Sequence, residues 1–221
     1  MISIIFPTIR PELYLNALKS IQKTREKIEI VIVADFPPQD ETPKNVVWHL
    51  EIKRQGTIQA INKGFELSKG EYIFIMNDES KLSPNCLDGL LRSYVSLGRQ
   101  AVISPYHIPF FGFYYYHRFF AAFPFTHRSV IESLWYDPIT MEKSKERYFF
   151  DPAYKSFYAD PDLSLKAHQQ GIAVSLCDEV AIYHSNDIGR IDHKENVKNH
   201  LIADRALFRK RWDHLGEFKD P

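Results

Sequence analysis

Cysteine is scarce in this chain. Cys86 and Cys177 are the only two in 221 residues, too few for a disulfide framework or a cysteine-rich metal site, and both are expected to be reduced. Neither sign of charge is in excess: Lys plus Arg and Asp plus Glu each total 28, for a formal net charge of zero. That balance gives no support to nucleic acid as a bulk partner. No apolar run approaches the roughly 20 residues that a membrane-spanning helix needs. The opening MISIIFPTIRPE has no basic segment and turns polar after six residues. It reads as neither secretory signal nor anchor, so a cytoplasmic protein is expected. No G-x-G-x-x-G follows the first strand, which disfavours a dinucleotide-binding domain, and neither a P-loop lysine motif nor a G-x-S-x-G elbow occurs. A Gly-rich, Arg-containing phosphate loop is missing too, which argues against nucleotidyl transfer. With no internal repeat and no low-complexity linker, one domain is expected.

What the chain does have is alternation. Ile2 to Phe6 is an apolar strand candidate closed by Pro7. Pro11 then opens a helix carrying Leu13, Leu15, Leu18 and Ile21. Ile28 to Ala34 and Val46 to Leu50 read as strands, Gln55 to Leu67 as a helix with Ile58, Ile61 and Phe65 on one face, and Tyr72 to Met76 as a strand buried on both faces. Strands alternating with helices imply an α/β fold with a parallel sheet and right-handed crossovers. Pro84 starts another helix, and Ala101 to Ser104 is a further strand. Aromatic residues make up 14% of the chain and concentrate between Tyr106 and Phe125. Two readings of that stretch stand: an edge hairpin plugging the core, or a surface for an acceptor or for lipid. Thr126 to Trp135 reads as a helix capped by Thr126, Tyr136 to Ser156 as a polar loop, and Asp160 to Gln170 as a helix stopped by Gly171. Ile172 to Cys177 and Val180 to Tyr183 are two short strands, and His193 to Trp212 is a final amphipathic helix with Val197, Leu201, Phe208 and Trp212 on its apolar side. Its basic side (Lys194, Lys198, Arg205, Arg209, Lys210, Arg211) is a solvated face or a rest on anionic lipid, that is, a peripheral membrane contact.

Four stations along this order carry chemistry. Asp35 ends the second strand, and Asn77-Asp78-Glu79 ends the fourth. Asp160 and Asp162 open a helix, and His184 ends the last strand. In open α/β sheets ligands bind beyond the carboxyl ends of the strands, so Asp35 and Glu79 belong to one edge by topology. The acidic triplet offers hard oxygen ligands suited to Mg²⁺ or Mn²⁺.

Five segments in order, SIIFPTIRPELYLNALKSI, IEIVIVADFPPQDET, QGTIQAINKGFELSKGEYIFIMNDES, FYADPDLSLKAHQQG and IYH, make the chain resemble the family 2 glycosyltransferases of the GT-A fold. The resemblance implies a single Rossmann-like GT-A domain, a mostly parallel central sheet flanked by helices with a small second sheet. Residues 1–105 would form the nucleotide-sugar half, 106–192 the acceptor and catalytic half, and 193–221 the final helix. It also implies the roles. Pro7, Thr8 and Asp35 match positions that contact base and ribose, and Lys63 matches a basic residue near the nucleotide. Asn77, Asp78 and Glu79 take the D-x-D position, with Glu79 on the metal. Asp160 matches the catalytic base of an E-D pair, Asp162 joins the substrate-binding groups, and His184 matches a further metal ligand. The implied activity is inverting transfer from a nucleotide-diphosphate sugar to a saccharide or lipid-linked hydroxyl acceptor, with Mn²⁺ or Mg²⁺, in polysaccharide or glycolipid assembly. Asn77 and Glu79 depart from the two aspartates of D-x-D, and Ala159 stands where the glutamate of the pair is usual. Those departures leave a second reading open, a non-catalytic nucleotide-sugar-binding protein on the same scaffold.

Overall fold

The computed structural model describes residues 1–21, 24–109, 113–185, 194 and 197–220. The expected start of the last helix at His193, and Phe110 to Gly112 of the aromatic stretch, lie outside the described residues.

The first half follows the alternation. Strands β1 (Ile2–Thr8), β2 (Ile28–Ala34), β3 (Val46–Leu50) and β4 (Tyr72–Ile75) pair in parallel in the order β3-β2-β1-β4. Helices α1 (Tyr14–Ile21) and α2 (Thr57–Leu67) make the crossovers. Because successive strand residues face opposite sides, β1 and β2 feed two cores. Ile4, Phe6, Ile30 and Ile32 pack with Tyr14, Leu18 and Ile21 of α1 and with Leu87 and Leu90 of α3 (Cys86–Ser96). Ile5 and Val31 face the other way, onto Ile58, Ile61 and Phe65 of α2. Gly64 lets α2 lie close on β1, since a Cβ there would collide with the Ile5 side chain.

The second half continues the same sheet. Beyond β4 come β9 (Phe125–His127), β6 (Ala101–Ile108), β10 (Ala173–His184) and β5 (Ser80–Leu82), giving a sheet of eight strands among the described residues. β10 runs parallel to β6, whereas β9 is antiparallel to β4 and β6, and β5 is antiparallel to β10. A separate two-stranded sheet pairs β7 (Tyr114–Tyr115) with β8 (Arg118–Phe119). Helices α4 (Arg128–Ser133), α5 (Ala159–Gln169) and α6 (Ile202–Trp212) complete the fold on the α2 side. The mostly parallel sheet with a small second sheet is the expected architecture.

Four local expectations need correction. The helix proposed for residues 126–135 begins later, because Phe125, Thr126 and His127 form β9. Thr126 is fully buried and donates to the Ala101 carbonyl at 2.6 Å, stitching strand to strand, and His127 caps α4 by accepting from the Ser129 amide. The two short strands near the C-terminus are one, β10, interrupted by a bulge between Cys177 and Ala181. The final helix is broken into a π-helical turn (Val197–Leu201) followed by α6. Arg211, counted on its solvated face, is turned into the interior. Of the aromatic stretch, Phe113, Tyr115, Tyr116, Phe120, Phe123 and Phe125 are buried, while Tyr106 and Tyr114 face solvent.

Candidate active site

The carboxyl ends of β1 and β4 meet at an acid tip. Thr8 is the last residue of β1, and its Oγ1 donates to Asp78 Oδ2 at 2.6 Å. Asp78 is 2% exposed. Arg10, two residues past β1, donates from Nε to the same Oδ2 at 2.8 Å, pairs through Nη2 with Asp78 Oδ1, and donates from Nη1 to Glu79 Oε2 at 2.9 Å. The tip is joined to the far side of the sheet because His184 of β10 stands opposite Ser80 of β5. That register places His184 Nε2 3.0 Å from Glu79 Oε1 and 2.8 Å from the Asn77 amide nitrogen. Burial alone would raise the Glu79 carboxyl, but the His184 and Arg10 contacts outweigh it and hold it below its ordinary value. His184 also stacks edge-on to His107 at 5.1 Å. Burial and then the neighbouring His184 push the His107 imidazole down to about 4, so that ring is neutral at neutral pH.

Asp35 and Lys63 sit away from this tip. Ala34 pairs with Thr8 across the β1–β2 ladder, so Asp35 emerges on the same sheet edge one strand over, where it pairs with Arg54. Its charge raises the Glu51 carboxyl, though burial contributes more. Glu51 in turn lines a cleft of about 350 Å³ with His49, Gln55, Gln59 and Lys63. Lys63 pairs with Glu66 at 2.9 Å one turn along α2. None of Thr8, Asn77, Asp78, Glu79 or His184 lines that cleft. Pro7 is half-buried in β1 beside Val33.

Asp160 and Asp162 part company. Both lie in the first turn of α5, which follows Tyr158 in a left-handed conformation at φ 63°. Asp160 is half-buried near Tyr115, and burial pushes its carboxyl up to about 7. Asp162 points inward and is 1% exposed. It accepts from Tyr154 Oη at 3.0 Å, Trp212 Nε1 at 2.9 Å and Arg211 Nη1 at 3.3 Å, and it pairs with Lys166 at 3.3 Å. Asp151 closes the network on Lys166 and Arg211. A substrate cannot reach that carboxylate, so the structure reassigns Asp162 from ligand binding to an interior ion cluster.

The model of the family described as "Glycosyl transferase family 2" matches residues 3–157. The chain belongs to glycosyl transferase family 2. The family match stops short of Asp160 and His184, whose placement rests on the structure alone. Solved structures with the same fold include S. aureus TarS at 15% identity and TM-score 0.62, covering 96% of this chain and 43% of that one. Another is the mannosyltransferase PcManGT from Pyrobaculum calidifontis in complex with GDP-Man and Mn²⁺, at 16% identity and TM-score 0.62, covering 99% and 65%. This chain therefore spans less than half of the TarS chain it matches. No curated protein matches. At these identities the structural likeness establishes the GT-A fold and nothing finer.

The metal implied by the GT-A fold can be weighed against the residues present. Among the described residues no group of three or more His, Cys, Asp or Glu is arranged to hold an ion. Glu79 and His184 supply one hard oxygen and one imidazole nitrogen side by side. Mg²⁺ is commonly bound by one or two carboxylates with the remaining places filled by water and substrate phosphates, and imidazole and carboxylate are both ordinary donors to Mn²⁺-class ions. The pair fits as a half-site that a diphosphate would complete. Among the described residues no helix is long and apolar enough to cross a membrane.

Sequence reasoning missed Arg10, although a basic residue just past the first strand, opposite an acidic strand end, was a usable signal. It also missed Asp204, a buried acid of α6 that accepts from the amides of Lys155 at 3.1 Å, Ser156 at 2.9 Å and Phe157 at 2.9 Å. Nothing local to Asp204 distinguishes it from the charged residues around it.

Proposed function

We propose that this family 2 glycosyltransferase moves a sugar from a nucleotide-diphosphate sugar to the hydroxyl of a saccharide or lipid-linked acceptor, with inversion, in polysaccharide or glycolipid assembly. The observation that carries the reading is the junction of Thr8, Arg10, Asp78, Glu79 and His184 at the carboxyl edge of the sheet. Residues 1–105 would hold the donor, with Pro7, Thr8, Asp35 and Lys63 toward the nucleoside, Asn77 toward the diphosphate, and Asp78 acting on the diphosphate through the Arg10 it holds. Residues 106–192 would hold the acceptor. Asp160 is proposed as the base: it takes the acceptor hydroxyl's proton as that oxygen attacks the anomeric carbon and the nucleoside diphosphate departs with the bonding electrons. Attack opposite the leaving group inverts the carbon. A carboxyl poised near 7 is suited to that proton transfer, because it is basic enough to accept yet largely ionised just above neutrality. Glu79 and His184 would hold Mn²⁺ or Mg²⁺, which when bound supplies Lewis-acid neutralisation of the departing charge.

The test is a panel of nucleotide sugars, followed by calorimetry for binding and by nucleoside diphosphate release for turnover, with Mn²⁺ or Mg²⁺. Binding and turnover of at least one donor are expected. Donor binding without turnover across an acceptor panel would favour the second reading, a binding protein, which Ala159 and the hold of Arg10 on both tip carboxylates motivate. No binding of any donor under any ion would end both.

A further inference from the structure

The proposed transfer, on which this inference rests, needs positive charge beside a diphosphate, and the chain carries such a charge of its own. Arg10 is tied into the tip by side chain and backbone. Its guanidinium spans Asp78 and Glu79, and its own amide donates to Thr8 Oγ1 at 3.1 Å, the same hydroxyl that donates to Asp78. Arginine cannot lose its charge at any working pH. The two anchors differ in strength. Asp78 is buried and gripped through both oxygens by the guanidinium fork, the geometry in which Arg–carboxylate pairs are strongest. Glu79 is held by one nitrogen only, and its other oxygen faces His184.

An ion arriving at Glu79 and His184 therefore competes with Arg10 for Glu79 and leaves the Asp78 anchor untouched. We propose that Arg10 is a diphosphate-binding residue that shares the role of the divalent ion: without the ion it bridges Asp78 and Glu79, and with it Nη1 leaves Glu79 for the diphosphate while the fork stays on Asp78. Two consequences of opposite sign follow. Removing the guanidinium relieves competition at Glu79, so the ion binds more tightly. It also removes a cation that the diphosphate can use when no ion is present, so ion-free nucleotide binding falls.

The experiment uses the full chain with Arg10→Gln and Arg10→Lys. Free Mn²⁺ is followed by electron paramagnetic resonance without nucleotide. A panel of UDP, GDP, CDP, ADP and dTDP is titrated by calorimetry in EDTA and in Mn²⁺. Wild type is expected to bind one of these in EDTA. Arg10→Gln is expected to bind Mn²⁺ roughly tenfold more tightly and that nucleotide in EDTA roughly tenfold more weakly, each about one charge-assisted hydrogen bond. Arg10→Lys, which keeps charge but loses the fork, should shift both in the same directions by less, and it carries the test if Arg10→Gln does not fold. A merely structural Arg10 would weaken both, and that result overturns the inference. So does a wild type that binds nucleotide in Mn²⁺ but not at all in EDTA. If wild type binds no nucleotide under either condition, the donor reading itself fails, an outcome distinct from nucleotide binding that ignores Arg10.

Discussion

Replacing Asp162 by asparagine should unfold this protein far more readily than removing an ordinary helix N-terminal acid. The side chain keeps its size and can still accept from Tyr154 or Trp212, so what is lost is charge. In the native cluster Lys166 and Arg211 face Asp151 and Asp162, two buried cations against two largely buried anions; Asp137, part-exposed and 3.9 Å from Arg211, is screened by solvent and compensates little. Lys166 is 2% exposed, so little solvent screens an imbalance. Burial would lower the Lys166 ammonium, yet Asp162 and then Asp151 outweigh it and hold the group above its ordinary value. Asp162→Asn leaves one uncompensated buried cation, a change that typically costs about 3–5 kcal/mol. For a chain of this size that lowers the melting temperature by roughly 10 °C. The assay is urea denaturation followed by circular dichroism, reading the midpoint at constant m-value. Adding Lys166→Met restores the balance with a side chain that packs, and it should recover at least half of the loss. A single mutant within about 1 kcal/mol of wild type would refute the charge argument. So would a double mutant no better than the single.

Three further outcomes are expected. Asp160→Asn should lower kcat by about 10²- to 10⁴-fold while donor affinity measured by calorimetry stays unchanged; since the base must be ionised, wild-type kcat/KM should rise with pH through about 7, and turnover retained in the variant would remove Asp160 from the role. His107 is held near 4 in the folded state against about 6.5 unfolded, so the unfolded chain binds the extra proton first and stability falls as pH drops through that window, by up to about 3 kcal/mol. His107→Phe should flatten that part of the acid limb in a pH series of urea midpoints, and an unaltered limb would count against the assignment. Asp204→Ala leaves three amides before α5 without their acceptor and should cost about 3 kcal/mol, with faster hydrogen exchange confined first to residues 155–157.

Much of the architecture was legible because its signals are local. Ile30 to Ala34 and Tyr72 to Met76 are apolar throughout, as strands covered on both faces must be, and the polar residues that end them mark one edge of the sheet. β9 was misread because three residues wedged between β4 and β6 owe their conformation to those neighbours, and no periodicity can show in so short a run. The bulge in β10 was read as a break for a related reason: Asp178 and Glu179 look like a turn, and only pairing with β6 on both sides shows the strand resuming. The opposite settings of Asp160 and Asp162 were implicit in their spacing: residues two positions apart on a helix point about 200° apart around its axis, so the two acids face different ways.

The order in which the chain is held together bears on how the proposed base is set. The family match ends at residue 157, yet the grip on the first turn of α5 comes from beyond it. Arg211 and Trp212 hold Asp162 from inside, and Asp204 gathers the amides of Lys155 to Phe157 just before the left-handed Tyr158. Tyr158 itself lies against Phe208 at 5.0 Å, and its hydroxyl donates to Asp220. Each of these partners lies on α6 or just after it. With its second acid fixed inward and its entry pinned from α6, α5 presents Asp160 in one direction only. Loosening Asp204 or Arg211 should therefore lower kcat through a displaced base while leaving the tip's affinity for nucleotide unchanged, a split that a general loss of folding would not produce.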